Sequence, residues 1–191
     1  NWNDVSKHIF GGCNATMLTL EQSYRTTIEI MDAASSAMNF LNDPNLPPAK
    51  PVIRHGDKVK ICRKDSLKEI SHEIKNTLDS MKKMNVESAA IICKTLDECK
   101  KIKTLLKKLK QDVQIIKGGE KEYSGGVVVI PSYLVKGLEF DVVIIANASK
   151  EMYKPEELDV KLLYVAMTRP LHQLHIYSDG ESTELLKAVN S

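Results

Sequence analysis

Cysteine is scarce and unpaired in this chain of 191 residues: Cys13, Cys62, Cys93 and Cys99 form no CxxC pair. That argues against a zinc site and against a disulfide framework, and the four read instead as small buried apolar residues in a reducing cytoplasm. No apolar run approaches the roughly 18 residues that a membrane span needs. The opening residues, with Asp4, His8 and Gly11-Gly12, are not a signal peptide. A formal net charge of +2 is too small to argue for nucleic acid on charge alone. The chain also lacks a G-x-x-x-x-G-K-[ST] phosphate loop, since neither Gly11-Gly12-Cys13 nor Gly118-Gly119-Glu120 fits it. No apolar strand ends in Asp-Glu to hold magnesium, and no internal repeat or low-complexity segment is present. Asn1 stands where a complete chain has Met, which reads as a processed or excised piece.

What is present, at 42% hydrophobic and 27% charged, suits one globular domain of ordinary size. Residues 1–20 form a poorly defined lead-in. A helical pattern opens at Ser23 with Ile28, Met31, Ala34 and Met38 on one face, and ends before the proline-rich loop at Asp43-Pro44. Short strands are expected over 52–54 and 59–62. Helices follow at Ser66 to Met84 and after a Thr95 cap, each with apolar residues three and four apart. Strands are expected at 89–93, 113–116, 126–130, 142–146 and 173–177, a helix over 158–169 ended by Pro170, and a terminal helix over 182–189. Strands that alternate with helices and are apolar throughout belong to a mostly parallel sheet covered on both faces. Ligands in such sheets are expected at the carboxyl ends of the strands.

Three segments carry polar residues that burial does not explain: Glu21 to Thr27, the stretch VVVIPSYLVKGLEFDVVII from Val127, and LLYVAMTR from Leu162. Arg169, at a helix end backed by Leu162, Leu163 and Ala166, offers a fixed fork for a terminal phosphate; its alternative is a contact with the helix dipole or a carboxylate. Arg25, in the expected first turn of a helix, calls for a nearby anion. Tyr24 beside it offers a flat face for a base, or is a core tyrosine. Lys136-Gly137 makes a turn where backbone approaches a ligand closely, and Glu139 either reaches a ribose hydroxyl or metal-bound water or is simply solvated. The basic face of Lys100 to Lys110 is either a solvated surface or a patch for nucleic acid or a partner. His172 and His175, three apart on a strand, point to opposite faces and do not share a metal.

SYRTT, KGLEFDVVII and LLYVAMTR, in that order, resemble motifs IV, V and VI of superfamily 1 helicases of the UvrD/Rep type. The similarity spans residues 21–177 and corresponds to the second RecA-like domain. VIPSYLVKGLEFDVV together with Arg54-His55-Gly56 is most similar to the HelD, or helicase IV-like, branch. The resemblance implies a three-layer α/β RecA-like domain, of the P-loop NTPase type but without a P-loop, occupying 1–191 as one unit. The interval from Arg25 to Lys136 leaves no room for the large extra domain that UvrD and Rep insert there.

The resemblance further implies that Tyr24 stacks on adenine, Arg25 contacts the γ-phosphate, Gly137 and Glu139 lie at the nucleotide, and Arg169 is the arginine finger. Thr168 would couple nucleotide state to the nucleic-acid side, where Ser132, Tyr133 and Lys136 would contact the strand. The family's T-x-H-x-A pattern is replaced by Pro131, Tyr133 and Val135, which weakens the expected strand contact. Val160 and Lys161 replace paired arginines, and Pro170 replaces an alanine. ATP with Mg2+ is the implied cofactor, its phosphate cradle and magnesium ligands supplied by an upstream RecA-like domain of the same polypeptide. The fragment alone would then be inactive. The expected whole is a cytoplasmic ATP hydrolase and DNA helicase acting on single-stranded DNA. The alternative is an ATP-driven factor that binds and recycles RNA polymerase.

Overall fold

Thr27 opens the first helix of the computed structural model, which describes residues 26–41, 53–84, 86–118 and 125–189. Its backbone is extended and its hydroxyl accepts the Ile30 N–H, so the helix runs Ile28–Met38 (α1); Ser23, where the pattern opened, lies outside the described residues. The buried face is Ile30, Ala33, Ala34 and Ala37. The expected strand over 52–54 is not formed at Ile53 and Arg54, and Val52 lies outside the described residues. Lys60–Lys64 forms β1. Ser66 caps Leu67–Lys83 (α2), with Ile70, Ile74, Leu78 and Met81 inward at helical spacing. Ser88–Cys93 is β2, and Thr95 caps Leu96–Lys108 (α3). Gln114–Ile115, Gly126–Pro131 and Phe140–Ile145 are β3, β4 and β5. Glu157–Met167 is α4 and Pro170–Asp179 is β6.

All pairings in the six-stranded sheet are parallel, in the order β1-β6-β5-β2-β4-β3. Alternate residues of each strand point to opposite faces, and both faces are covered. Ala90, Ile92, Val143 and Ile145 pack with α1 and α4, while Ala89, Ile91, Val142 and Ile144 pack with α2 and α3. This is the three-layer RecA-like α/β fold. No described helix is long and apolar enough to cross a membrane.

Three expectations need correction. Pro170 does not merely follow a helix but starts β6, a position where its missing N–H breaks no ladder bond. The terminal helix over 182–189 is only a 3-10 turn at Glu184–Leu186. Thr183 is tied sideways there: its N–H donates to Ala148 O, its hydroxyl donates to Tyr153 O at 2.6 Å, and Ser182 bridges Ser149. A segment pinned in that way has little length left to coil, although Leu185 and Leu186 are buried as expected. Cys62 is exposed on the edge strand β1, unlike Cys93 and Cys99, which are buried; Cys13 lies outside the described residues.

Candidate functional site

Glu139 immediately precedes β5 and Arg169 immediately precedes β6. These strands are neighbours with Phe140 opposite Pro170, and the Phe140 N–H donates to Arg169 O at 3.1 Å. The two site residues therefore enter the sheet side by side, at its amino edge. The general expectation for open sheets was the carboxyl edge. The reason is sequential: in an all-parallel sheet, any residue just ahead of a strand lies at the amino end.

The Arg169 guanidinium is braced on three sides. Its Nε donates to Val165 O at 3.0 Å, Nη2 to the Thr168 hydroxyl at 3.0 Å, and Nη1 to Leu138 O at 3.3 Å. Thr168 caps α4 and its own hydroxyl donates to Val165 O at 3.0 Å. A guanidinium has five N–H donors, so these bonds fix the fork and leave donors for a ligand. Partial burial pulls the Arg169 pKa below its ordinary value, while the Glu139 carboxylate works the other way; the group remains a cation at any working pH. Thr168 thus acts on Arg169 directly.

Gly137 has φ +86 with open space around the position of a Cβ, so glycine is required by backbone conformation and not by crowding. Lys136 and Glu139 are exposed. The segment 132–139 crosses from the carboxyl end of β4 to the amino end of β5, pinned midway by fully buried Val135. Tyr133, 55% exposed, stands at the carboxyl edge on the turn Ser132–Leu134. Ser132 is 1% exposed and its hydroxyl donates to Lys94 O at 3.2 Å, so its side chain points inward and not to a strand on the surface. Tyr24 and Arg25 lie outside the described residues.

Two groups went unassigned in the sequence. Lys94, following β2, places its ammonium 2.7 Å from the buried Asp159 carboxylate at the start of α4 and 5.5 Å from the Tyr153 ring centroid. Nothing local signalled this pair, whose members are far apart in the chain. Arg54 carries a signal, the Arg-His-Gly triplet, which sequence reading treated only as a mark of resemblance. In the fold its guanidinium donates to Leu171 O, two residues past Arg169.

A domain with a fixed arginine and a carboxylate at one edge of a RecA-like sheet can be compared with known families. Two family models, both described as the UvrD-like helicase C-terminal domain, match residues 18–124 and 126–177. The chain belongs to the UvrD-like helicase C-terminal domain family. Its fold is similar to the crystal structure of the C-terminal domain of a possible DNA helicase from Lactobacillus plantarum WCFS1, with 31% identity, a TM-score of 0.73, and coverage of 88% of this chain and 94% of that one. More distant likenesses are arterivirus nonstructural protein 10 (helicase) in complex with DNA, at 17% identity and TM-score 0.40 over 64% of this chain and 29% of that chain, and the PRRSV helicase, at 12% identity and TM-score 0.39 over 85% of this chain and 23% of that chain. No curated protein matches. As a UvrD-like domain, the chain is a helicase motor domain, and the family implies ATP-dependent helicase activity in the full-length protein.

Proposed function

We propose that residues 1–191 form one second RecA-like domain, without a large insertion, that completes an ATP site shared with an upstream RecA-like domain of the same polypeptide. In this reading Tyr24 stacks on adenine, Arg25 contacts the γ-phosphate, Gly137 and Glu139 line the nucleotide with Glu139 towards the ribose, and Arg169 is the arginine finger. The observation that carries it is the three-sided brace on Arg169 beside Glu139 at the amino edge. A guanidinium held in advance needs no reorganisation when charge develops on a transferring phosphoryl group. The open space at Gly137 suits close approach of a nucleotide. When bound, ATP with Mg2+ supplies the phosphoanhydride that is split. The chain's own contribution is orientation and charge neutralisation, and the upstream domain holds the phosphates and the metal. Closure and release of the two domains would step a DNA strand past Tyr133 and Lys136, with Thr168 linking finger and helix.

The test is Arg169→Ala in the full-length protein. It should still bind ATP but lose at least about 100-fold in ATPase turnover. Near-normal turnover removes the finger assignment.

A second reading is favoured by one observation: Pro131 and Ser132 at the carboxyl edge, and Val135 further along the crossing segment, are all buried, so only Tyr133 of that turn is offered for stacking. A weak strand contact suits a HelD-type factor that binds RNA polymerase and uses ATP to free it from nucleic acid, this domain serving as a nucleotide-dependent switch. Pull-down with core RNA polymerase separates the two. Absence of association together with processive unwinding of tailed duplex leaves the motor reading alone.

A further inference from the structure

Pro131 ends β4 opposite Cys93, the last residue of β2, so the two chains leave the sheet side by side as Ser132 and Lys94. Pro131 has no N–H with which to extend the ladder, and the chain then turns into the 3-10 segment Ser132–Leu134. Beyond that point a side chain joins the two exits: the Ser132 hydroxyl donates to Lys94 O at 3.2 Å.

Lys94 is a firm seat for this bond. Its N–H donates at 2.8 Å to the carboxylate of Glu98, buried in the first turn of α3. Its ammonium donates to Met152 O at 2.5 Å and lies 2.7 Å from the Asp159 carboxylate at the start of α4. The residue is therefore held from α3, from the loop ahead of α4 and from α4 itself. Ser132 fastens the turn to a point that three elements fix.

Tyr133 is next in the chain and 55% exposed. A ring that far into solvent takes its direction from the backbone beneath it. On the far side the turn is held by apolar packing, with Leu134 partly buried and Val135 fully so. Apolar packing is non-directional, whereas a hydrogen bond constrains both distance and angle. Stacking requires the ring to present its face to a base, so orientation decides the contact. We infer that Ser132 is a positioning residue for the nucleic-acid strand: it does not touch the strand, but through Lys94 it sets the direction of the Tyr133 ring. The inference rests on the proposed contact of Tyr133 with single-stranded DNA.

The test is fluorescence anisotropy of the full-length protein with a labelled oligothymidylate at fixed salt, read for both Kd and binding stoichiometry. A stacked base is worth about 5- to 150-fold in affinity, and a ring held askew loses part of that. Ser132→Ala should therefore raise Kd roughly 3- to 10-fold at full stoichiometry. Ser132→Cys, whose thiol is a weaker donor, should fall between it and the wild type. The deciding measurement is Ser132→Ala/Tyr133→Ala: with no ring left to direct, Ser132→Ala should add less than about twofold to the loss in Tyr133→Ala. Should Ser132→Ala not fold, Ser132→Cys carries the same cycle. A wild-type Kd in the Ser132 variants beside a weakened Tyr133→Ala overturns the positioning role alone. So does a loss that persists undiminished without the ring, since the serine would then act on the strand by another route. Reduced stoichiometry at an unchanged Kd also overturns it, because that is loss of folded protein and not misdirection of a ring. Normal binding by Tyr133→Ala overturns the strand contact and the positioning role together.

Discussion

Lowering the pH through 6.5 should weaken this domain through one buried side chain, His175. It is 5% exposed on β6, its Nδ1 has no hydrogen-bond partner among the described residues, and its Nε2 is 3.5 Å from Gln173 Oε1. Burial, followed by the charge of Lys60, lowers its pKa from 6.5 to about 4, with Asp57 opposing. The unfolded chain therefore binds the proton more readily than the folded one. Stability is fully present above about 6.5 and is lost as the pH falls to about 4. At about 1.4 kcal/mol per tenfold difference in proton affinity, the loss is about 2 kcal/mol by pH 5 and about 3 kcal/mol by pH 4. Urea denaturation of the wild type and of His175→Gln at pH 7 and pH 5 isolates the effect. Other acid-sensitive groups act equally in both proteins and cancel, and glutamine keeps a polar side chain without a titrating one. The wild type should lose about 2 kcal/mol more than the variant between the two conditions. Equal losses would mean that the imidazolium is tolerated in the folded state, and the burial argument would be wrong.

Breaking the Lys94–Asp159 pair should be costly, because Asp159→Asn leaves an ammonium beside Met152 O and the Tyr153 ring without its buried counter-charge. A loss of about 3 kcal/mol is expected in thermal denaturation, whereas Lys94→Met with Asp159→Leu should recover most of it; an unchanged midpoint for Asp159→Asn would show the pair to be solvated. Tyr133→Ala should weaken single-stranded DNA binding by about 1–3 kcal/mol if the exposed ring stacks on a base. Fluorescence anisotropy of the full-length protein with a labelled oligonucleotide reads this, and an unchanged affinity would favour the polymerase-bound switch.

The layers of this fold were legible because β2, β4 and β5 are unbroken apolar runs and α2 and α3 repeat apolar residues at three and four. Ser66 and Thr95 stood where caps belong and do cap. At α1 Ser23 looked like an equally good start, but the cap is Thr27, where the backbone turns extended and the triplet 54–56 closes over the helix end. That closure is a contact between distant segments, which local pattern does not encode. Cys62 failed for a related reason: whether a short strand is central or at an edge depends on sheet order, not on its own residues. The site behaved alike. Arg169 and Glu139 stood out as chemistry in the wrong place for burial, but their meeting depends on β5 and β6 being neighbours. Arg54 and Lys94 acquire meaning only from partners far along the chain.

On the proposed reading, nucleotide residues at the amino edge change how the domain must work. Tyr133 lies at the carboxyl edge, across the length of a strand from Glu139. Two covalent elements span that distance. The segment 132–139 does so with Val135 buried at its centre, and α4 does so with Asp159 held by Lys94 at one end and Thr168 bonded to Arg169 at the other. Both run across the same apolar face, where Val135, Val160, Leu163 and Ala166 belong to one core cluster. A close-packed core does not deform smoothly. A displacement imposed at either edge must therefore move these elements as rigid bodies or not move them at all. On the proposed reading, that is how hydrolysis at one edge would be felt at the other. The Lys94–Asp159 pair and the bond from Arg54 to the Leu171 carbonyl lie at opposite edges of the sheet, each holding one end of this packed face.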